Sequence, residues 1–210
     1  LASIGLTTAP APAESLSPAR LWLGESAARA GFWQDLGPLA LPSGRIFVGD
    51  PTWGDDYHIR DPRPLAGPLQ VFTRTDPDGP NLLIWLEANG NRPAATGDRI
   101  EFGVDVATIG LGDLGAGQAL VDLGEALQDQ GKGDSFEWLQ PALQQQQHFA
   151  RWLPIPPEDQ PILLVSTGND GSYAAVWLLD ERGELSGILI DIAGRQPDLK
   201  FLDTLLPAAP

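Results

Sequence analysis

The stretch from Ile162 to Ile192, which reads ILLVSTGNDGSYAAVWLLDERGELSGILIDI, constrains the fold more than any other part of the chain. It contains three apolar runs, which are separated by the polar stretches Thr167–Gly171 and Asp180–Glu184. The Asn-Asp-Gly and Arg-Gly sequences in these stretches supply the positive-φ residues that tight hairpins need. We therefore predict a three-stranded antiparallel meander at the C-terminal end of the domain.

The composition indicates the same kind of fold for the rest of the chain. The 210 residues include 24 Gly and 20 Pro, which favours many turns and few long helices. Hydrophobic residues make up 42% of the sequence and include seven Trp, which is enough for a substantial core. We predict an α+β fold, with an antiparallel sheet of five to seven strands and two to three short helices.

Short apolar or alternating runs predict the other strands. The sequence Asp76-Pro77-Asp78-Gly79 is a strong turn signal, so the runs on either side of it should form a hairpin. The four predicted strands are Arg45–Val48, Leu69–Thr73, Asn81–Ala88 and Arg99–Asp105. After a kink, Thr108–Gly112 should continue the last of these strands.

Capping signals predict the helices. Ser17 and Pro18 suit the N-cap and first turn of a helix that ends at Gly31. A second helix should start near Ala116 and end at Gly131, which suits a C-cap. Asp134 or Ser135 can cap a third. Pro141 interrupts that pattern, so either two short helices meet there or the second begins at the proline.

The chain divides into a flexible leader, residues 1–17, and a single α+β domain, residues 18–210. The leader contains Ala11-Pro12-Ala13, a small-x-small pattern like that of a signal cleavage site, but no charged n-region precedes it. We expect a cytoplasmic protein, with a periplasmic or secreted location if an N-terminal signal was removed. No apolar run approaches the roughly 20 residues of a membrane span.

The charge narrows the class of partner. The formal net charge is −15 and the sequence pI is about 4.2. Binding to nucleic acid or to an anionic membrane requires Lys and Arg to neutralise phosphate, so this composition argues against both. It fits a soluble protein and would steer a basic partner toward the surface. The chain has no Cys, which excludes disulfides, thiolate chemistry and Cys-type zinc sites.

Four motifs follow one another along the chain. They are Leu41–Arg45 through Asp50-Pro51; Phe102–Asp105 with Thr108 and Asp113; Asp134–Phe136; and Ser166–Tyr173 followed by Leu185–Asp191. In this order and spacing, residues 41–192 are similar to the bacterial domain-of-unknown-function 4241 family, with departures at Ala107, at Ala174 and at Ile190–Ile192. The resemblance implies an α+β fold with a substantial sheet, and it implies neither an established activity nor catalytic residues.

Six polar residues at predicted strand ends form the one set that could carry chemistry. If carboxylates gathered at one end of the sheet, they could bind Ca²⁺ or Mg²⁺ or act as an acid/base pair. If each sat at its own turn, it would instead bond nearby backbone N–H groups. A hydrolase or metal-dependent enzyme would use Asp50, Asp105, Asp170 and Asp191; Asp113 and Asn169 complete the set.

Other catalytic patterns are missing from the sequence. His58 and His148 lie ninety residues apart, and neither Ser166 nor Ser172 stands in a Gly-x-Ser-x-Gly motif. The glycine-rich stretch Gly110–Gly117 precedes a helix, but no Walker lysine follows it. We therefore predict no bound metal and no cofactor.

The irregular stretch after the first predicted strand offers a binding surface. A long loop inside a compact domain is either functional or loosely ordered. Aromatic residues flanked by carboxylates suit a basic protein partner, because the aromatics supply binding energy and the acids supply steering. We predict a non-enzymatic binding protein, plausibly an immunity-type protein that neutralises a basic toxin or effector. Its partner-binding residues would be Trp53, Asp55, Asp56, Tyr57 and His58.

Overall fold

A computed structural model of the protein describes residues 32–52, 65–75, 80–91, 93–144 and 149–193. Several sequence predictions lie outside these ranges. They are the leader at residues 1–17, the helix that begins at Pro18, the turn at residues 76–79, His148, and the five proposed partner-binding residues Trp53, Asp55, Asp56, Tyr57 and His58.

The described strands form two antiparallel sheets, which confirms the α+β class with more strands than predicted. In the six-stranded sheet the order is β1-β3-β4-β10-β9-β5, and in the four-stranded sheet it is β2-β6-β8-β7. The predicted β3–β4 hairpin is confirmed. The bounds are β1 Phe32–Leu39, β2 Ile46–Gly49, β3 Leu69–Thr75, β4 Asn81–Glu87, β5 Ala95–Val104, β6 Thr108–Asp113, β7 Ala150–Ile155, β8 Gln160–Ser166, β9 Gly171–Leu179 and β10 Leu185–Asp191.

The predicted three-stranded meander is wrong in one respect. β9 and β10 pair as a hairpin, but β8 pairs with β6 and β7 in the other sheet. The run Ile162–Val165 is buried along its whole length, because alternate side chains face the core between the sheets and the helix layer. An unbroken apolar run suits such a doubly covered strand, and in the four-stranded sheet the main core covers one face and the helix layer covers the other.

Two strands were not predicted. One is β1, whose partner β3 is distant in sequence, and the other is β7, which lies in the proline-rich stretch before β8 and pairs with it. β6 does not continue β5 within one sheet, because the bend at residues 105–107 sends it into the four-stranded sheet. Pro154 is tolerated in β7 because this is an edge strand.

Two helices are described, α1 at Leu114–Asp129 and α2 at Ser135–Leu143. Asp113 caps α1, and Gly131, at φ 64°, ends it as predicted: the N–H groups of Gly131 and Lys132 donate to the carbonyls of Gln128 and Leu127. Both alternatives for Pro141 were wrong, because α2 is one helix that contains the proline. Pro141 lies in the last turn, where the missing N–H costs a single hydrogen bond.

The protein is built in layers. Inward side chains of the two sheets form the main core, which includes Phe102, Trp177 and Ile188. On the other face of the four-stranded sheet, α1 and α2 enclose a second core around Leu120, Leu139 and Ile162. No helix in the described ranges is long and apolar enough to cross a membrane.

Two side chains connect the sheets. The Asn81 amide at the start of β4 donates to the carbonyl oxygens of Phe149 (3.1 Å) and Ser166 (2.8 Å), which flank the β7–β8 pair. The Trp152 indole on β7 donates to the Leu36 carbonyl oxygen on β1 at 2.7 Å. Because Asn81 is only 3% exposed, these bonds fix the offset between the sheets in a place that water does not reach.

Candidate functional site

The described stem of the proposed partner-binding loop is held by Asp50. This residue follows β2 and is 2% exposed. Its Oδ1 accepts hydrogen bonds from the N–H (2.7 Å) and the hydroxyl of Thr52, and its Oδ2 accepts one from the N–H of Asp105 at 2.6 Å. The carboxylate therefore ties the exit of β2 to the bend between β5 and β6.

The same bend receives a second carboxylate. The N–H of Ala107 donates to Oδ1 of Asp170 at 2.8 Å, and the carbonyl of Ala107 accepts from the N–H of Thr167 at 2.8 Å. Ala107 has φ 48°, which is uncommon for a residue with a Cβ, and these bonds hold it in that conformation. The structure thus brings Asp50, Asp105 and Asp170 together around one bend.

The fourth candidate carboxylate belongs to another strand. Asp191 ends β10, and its Oδ1 accepts the N–H of Ala193 at 3.0 Å. β9 lies between β10 and β5, so two strand spacings, about 10 Å, separate the strand of Asp191 from the strand that leads into the bend. Within the described ranges, no group of three or more His, Asp or Glu residues is placed to hold a metal ion.

The remaining two members of the polar set also hold turns through hydrogen bonds. Asp113 accepts hydrogen bonds from the N–H of Gly115 (2.9 Å) at the start of α1 and from the N–H (2.9 Å) and hydroxyl (2.6 Å) of Ser43. The carbonyl oxygen of Asn169 accepts from the hydroxyls of Thr167 and Tyr173, both at 2.7 Å. Asp113 is therefore a helix cap that also holds the turn before β2.

An acidic surface on the helix layer was missed from the sequence. Asp122, Glu125 and Asp129 are exposed and occur at helical spacings of three and four, so they share one face of α1, which we call the acidic helix face. The last turn of α1 contains no basic residue. Lys132, just beyond it, donates to the amide oxygen of Gln130 at 2.7 Å. The spacing alone would have predicted this surface.

The start of α2 packs on the buried side of α1, away from the acidic helix face. A Cβ built on Gly124, a buried residue of α1, would be 3.2 Å from the Cβ of Ser135, so the middle of α1 touches the first residue of α2. Phe136 and Glu137 follow, and both are exposed. At 40% exposure, Phe136 is the exposed large hydrophobic side chain among the described residues. An apolar ring is therefore exposed on α2, in the same helix layer as the acidic helix face.

The acidic helix face is electrostatically unfavourable in the free protein. Asp122 and Glu125, and Glu125 and Asp129, are like-charge neighbours, and each such pair destabilises a helix by about 0.2–0.5 kcal/mol. Asp129 also stands in the last turn, where the helix dipole already presents its negative end. A bound cation would relieve both effects.

Two carboxylates elsewhere have shifted pKa values. Burial raises the pKa of Glu87, with Asp35 adding to the rise, although the Trp85 indole opposes it by hydrogen bonding. Burial would also raise the pKa of Asp180, but hydrogen bonds from Asn91, Glu184 and Arg182 and the charge of Arg182 outweigh it and lower that pKa. Asp180 organises the β9–β10 turn, so its role is structural.

Comparisons of the chain with protein-family models, with curated proteins and with solved structures found no match. The resemblance to the domain-of-unknown-function 4241 family stays a prediction. Arguments about function therefore come from the arrangement of residues described above.

Proposed function

We propose that this protein is a non-enzymatic binding protein for a basic protein partner, of the kind that neutralises a toxin or effector. The observation that carries the proposal is the acidic helix face, where the exposed carboxylates of Asp122, Glu125 and Asp129 repel one another. Natural helices usually offset such charges with nearby Lys or Arg. Here the offset would come from the partner.

The chemistry of the surface suits protein recognition. Exposed carboxylates on one helix face accelerate the approach of a basic protein and make its association sensitive to salt. Phe136 exposes an aromatic side chain on α2 of the same helix layer, and aromatic side chains are enriched in protein interfaces. The loop residues Trp53, Asp55, Asp56, Tyr57 and His58 remain proposed as a second part of the interface.

The alternative enzyme would use Asp50, Asp105, Asp170 and Asp191. It is favoured by the meeting of the first three at one bend. However, both oxygens of Asp50 accept hydrogen bonds, and Asp50 is 2% exposed, so this carboxylate has little access to a substrate. A catalytic acid or base needs a lone pair or a proton directed at the reacting group. We therefore prefer the binding function to the enzymatic one.

A pull-down with charge-neutralised variants tests the proposal. The helix-face variant carries Asp122→Asn, Glu125→Gln and Asp129→Asn, and the loop variant carries Asp55→Asn and Asp56→Asn. The matched control, Glu101→Gln, Glu158→Gln and Glu181→Gln, removes the same three charges from exposed positions elsewhere. Each protein is immobilised at equal density, and captured proteins are identified by mass spectrometry.

We expect the wild type and the control to capture the same basic protein in stoichiometric amounts and to release it at high salt. The helix-face variant should lose it. If the helix-face variant captures that protein as well as the control does, the acidic helix face is not the interface. If no protein is captured in a salt-sensitive manner, the binding function itself is refuted.

A further inference from the structure

The loop that follows β4 holds the side-chain amide of Asn89 at both of its polar ends. The N–H of Asn91 donates to Oδ1 of Asn89 at 2.9 Å, which closes an Asx turn. Nδ2 of Asn89 donates to Oδ2 of Asp180, in the β9–β10 turn, at 3.4 Å. The amide oxygen therefore faces a hydrogen-bond donor, and the amide nitrogen faces a carboxylate.

Gly90, the next residue, offers an accessible backbone nitrogen. Asn89 and Gly90 are both exposed, and a Cβ built on Gly90 would meet nothing within 4 Å. Because glycine has no side chain, nothing of its own shields the nitrogen from the preceding residue. In the part of the chain that the structure describes, the N–H of Gly90 takes part in no hydrogen bond. Asn89-Gly90 is also the one Asn-Gly pair in the sequence.

We propose that Asn89 is a site of covalent modification, at which the side-chain amide is lost through a cyclic imide formed with Gly90. The Gly90 nitrogen bonds to Cγ of Asn89, and the bond between Cγ and Nδ2 breaks. The proton of the Gly90 nitrogen leaves with Nδ2 as ammonia. Water then adds across one of the two ring C–N bonds, which gives either aspartate or isoaspartate at position 89. The reaction needs no reactant other than water.

The contacts of the Asn89 amide favour this reaction in the folded protein. The Asx turn holds Cγ close to the Gly90 nitrogen, so the two reacting atoms are already positioned. The N–H of Asn91 stabilises the negative charge that develops on Oδ1 during the attack. The Asp180 carboxylate stabilises the positive charge that develops on Nδ2 as it leaves. An unfolded chain lacks all three contacts, so folding should not suppress the reaction.

The modification acts on the β9–β10 turn. Asp180 is 5% exposed, and its Oδ1 accepts the N–H groups of Arg182 (2.9 Å) and Glu184 (3.0 Å). A carboxylate at position 89 places a negative charge against Oδ2 of Asp180, where a donor stood before. Isoaspartate also lengthens the backbone before Asn91, whose amide donates to the same Oδ2 at 2.8 Å. Either product therefore loosens the turn.

Peptide mapping of the full chain tests the modification. The protein is incubated in mildly alkaline buffer, folded or in urea, then digested at acidic pH and analysed by mass spectrometry. Aspartate and isoaspartate should appear at position 89 at least as fast in the folded protein as in urea. Asn169 is also exposed, but Asp170 follows it, so it should react more slowly. The proposal is overturned if the folded protein keeps Asn89 intact while the unfolded chain loses it, or if Asn169 reacts as fast.

Variants that imitate the product test its effect on the turn. Asn89→Asp should accelerate amide hydrogen exchange at Arg182 and Glu184 by about tenfold or more, and it should raise the pKa of Asp180 measured by NMR. Asn89→Ala loses the hydrogen bond without adding charge, so its effects should be smaller. Asn169→Asp adds the same charge at another turn and should change neither quantity. Equal effects of Asn89→Asp and Asn89→Ala, or no effect of Asn89→Asp, would overturn the proposed action on the turn.

Discussion

Replacement of Asp50 by Ala should destabilise the protein strongly, because this buried carboxylate accepts hydrogen bonds from two backbone N–H groups. The N–H groups of Thr52 and Asp105 would lose their acceptor. A hydrogen bond to a charged group contributes about 1.5–3 kcal/mol, so we expect the free energy of unfolding to fall by about 3 kcal/mol. That is a large part of the 5–15 kcal/mol that a typical domain has.

Asp105→Ala is the matched control. Asp105 takes part in this arrangement through its backbone N–H, and its side chain is exposed, so its removal should change the free energy of unfolding by less than about 0.5 kcal/mol. Both variants are unfolded in urea and followed by tryptophan fluorescence, with the midpoint and slope fitted separately. The reasoning is refuted if Asp50→Ala is as stable as the wild type, or if Asp105→Ala loses as much stability.

Three further predictions follow from other parts of the structure. Glu125→Gln removes two like-charge pairs and should stabilise the free protein by about 0.4–1 kcal/mol in urea unfolding, a gain that should vanish in high salt. Gly187→Ala should lower the melting temperature and cost about 1–3 kcal/mol, because the new Cβ would lie 2.5 Å from the Leu86 carbonyl oxygen and also collide with Trp85; an unchanged melting temperature would contradict this. The folded-state pKa of Asp180 is lowered, so its contribution to stability is present above its unfolded pKa and is lost as the pH falls through the folded value. The difference in unfolding free energy between wild type and Asp180→Ala should therefore shrink on acidification below about pH 4. A difference that grows would contradict the lowered pKa of Asp180.

Local signals in the sequence predicted the elements that depend on neighbouring residues. The β3–β4 hairpin and the glycine stop of α1 are of this kind, since the turn and cap residues act within a few positions. β1 was missed because the residues of β3 that pair with it are far away in sequence. β7 pairs with the neighbouring β8, and it was missed because Pro154 argues against a strand. β1 also contains a bulge between Asp35 and Gly37, which disturbs the alternation expected of a strand.

The division into two sheets could not be read from the sequence either. A run such as Ile162–Val165 suits any strand with both faces covered, and the identity of its neighbours is a tertiary property. The same limit applies to the site. The positions of Asp50 and Asp170 at strand ends suggested backbone bonding, but their partners Asp105 and Ala107 are 55 and 63 residues away.

The amide of Asn81 makes two distant parts of the chain depend on each other. Because it donates to the carbonyls of both Phe149 and Ser166, the start of β4 cannot separate from the four-stranded sheet without exposing two buried acceptors. The ends of β4 and β8 should therefore open together, as a single unit in amide hydrogen exchange. The two sheets should therefore unfold as one cooperative unit and should not move independently of each other.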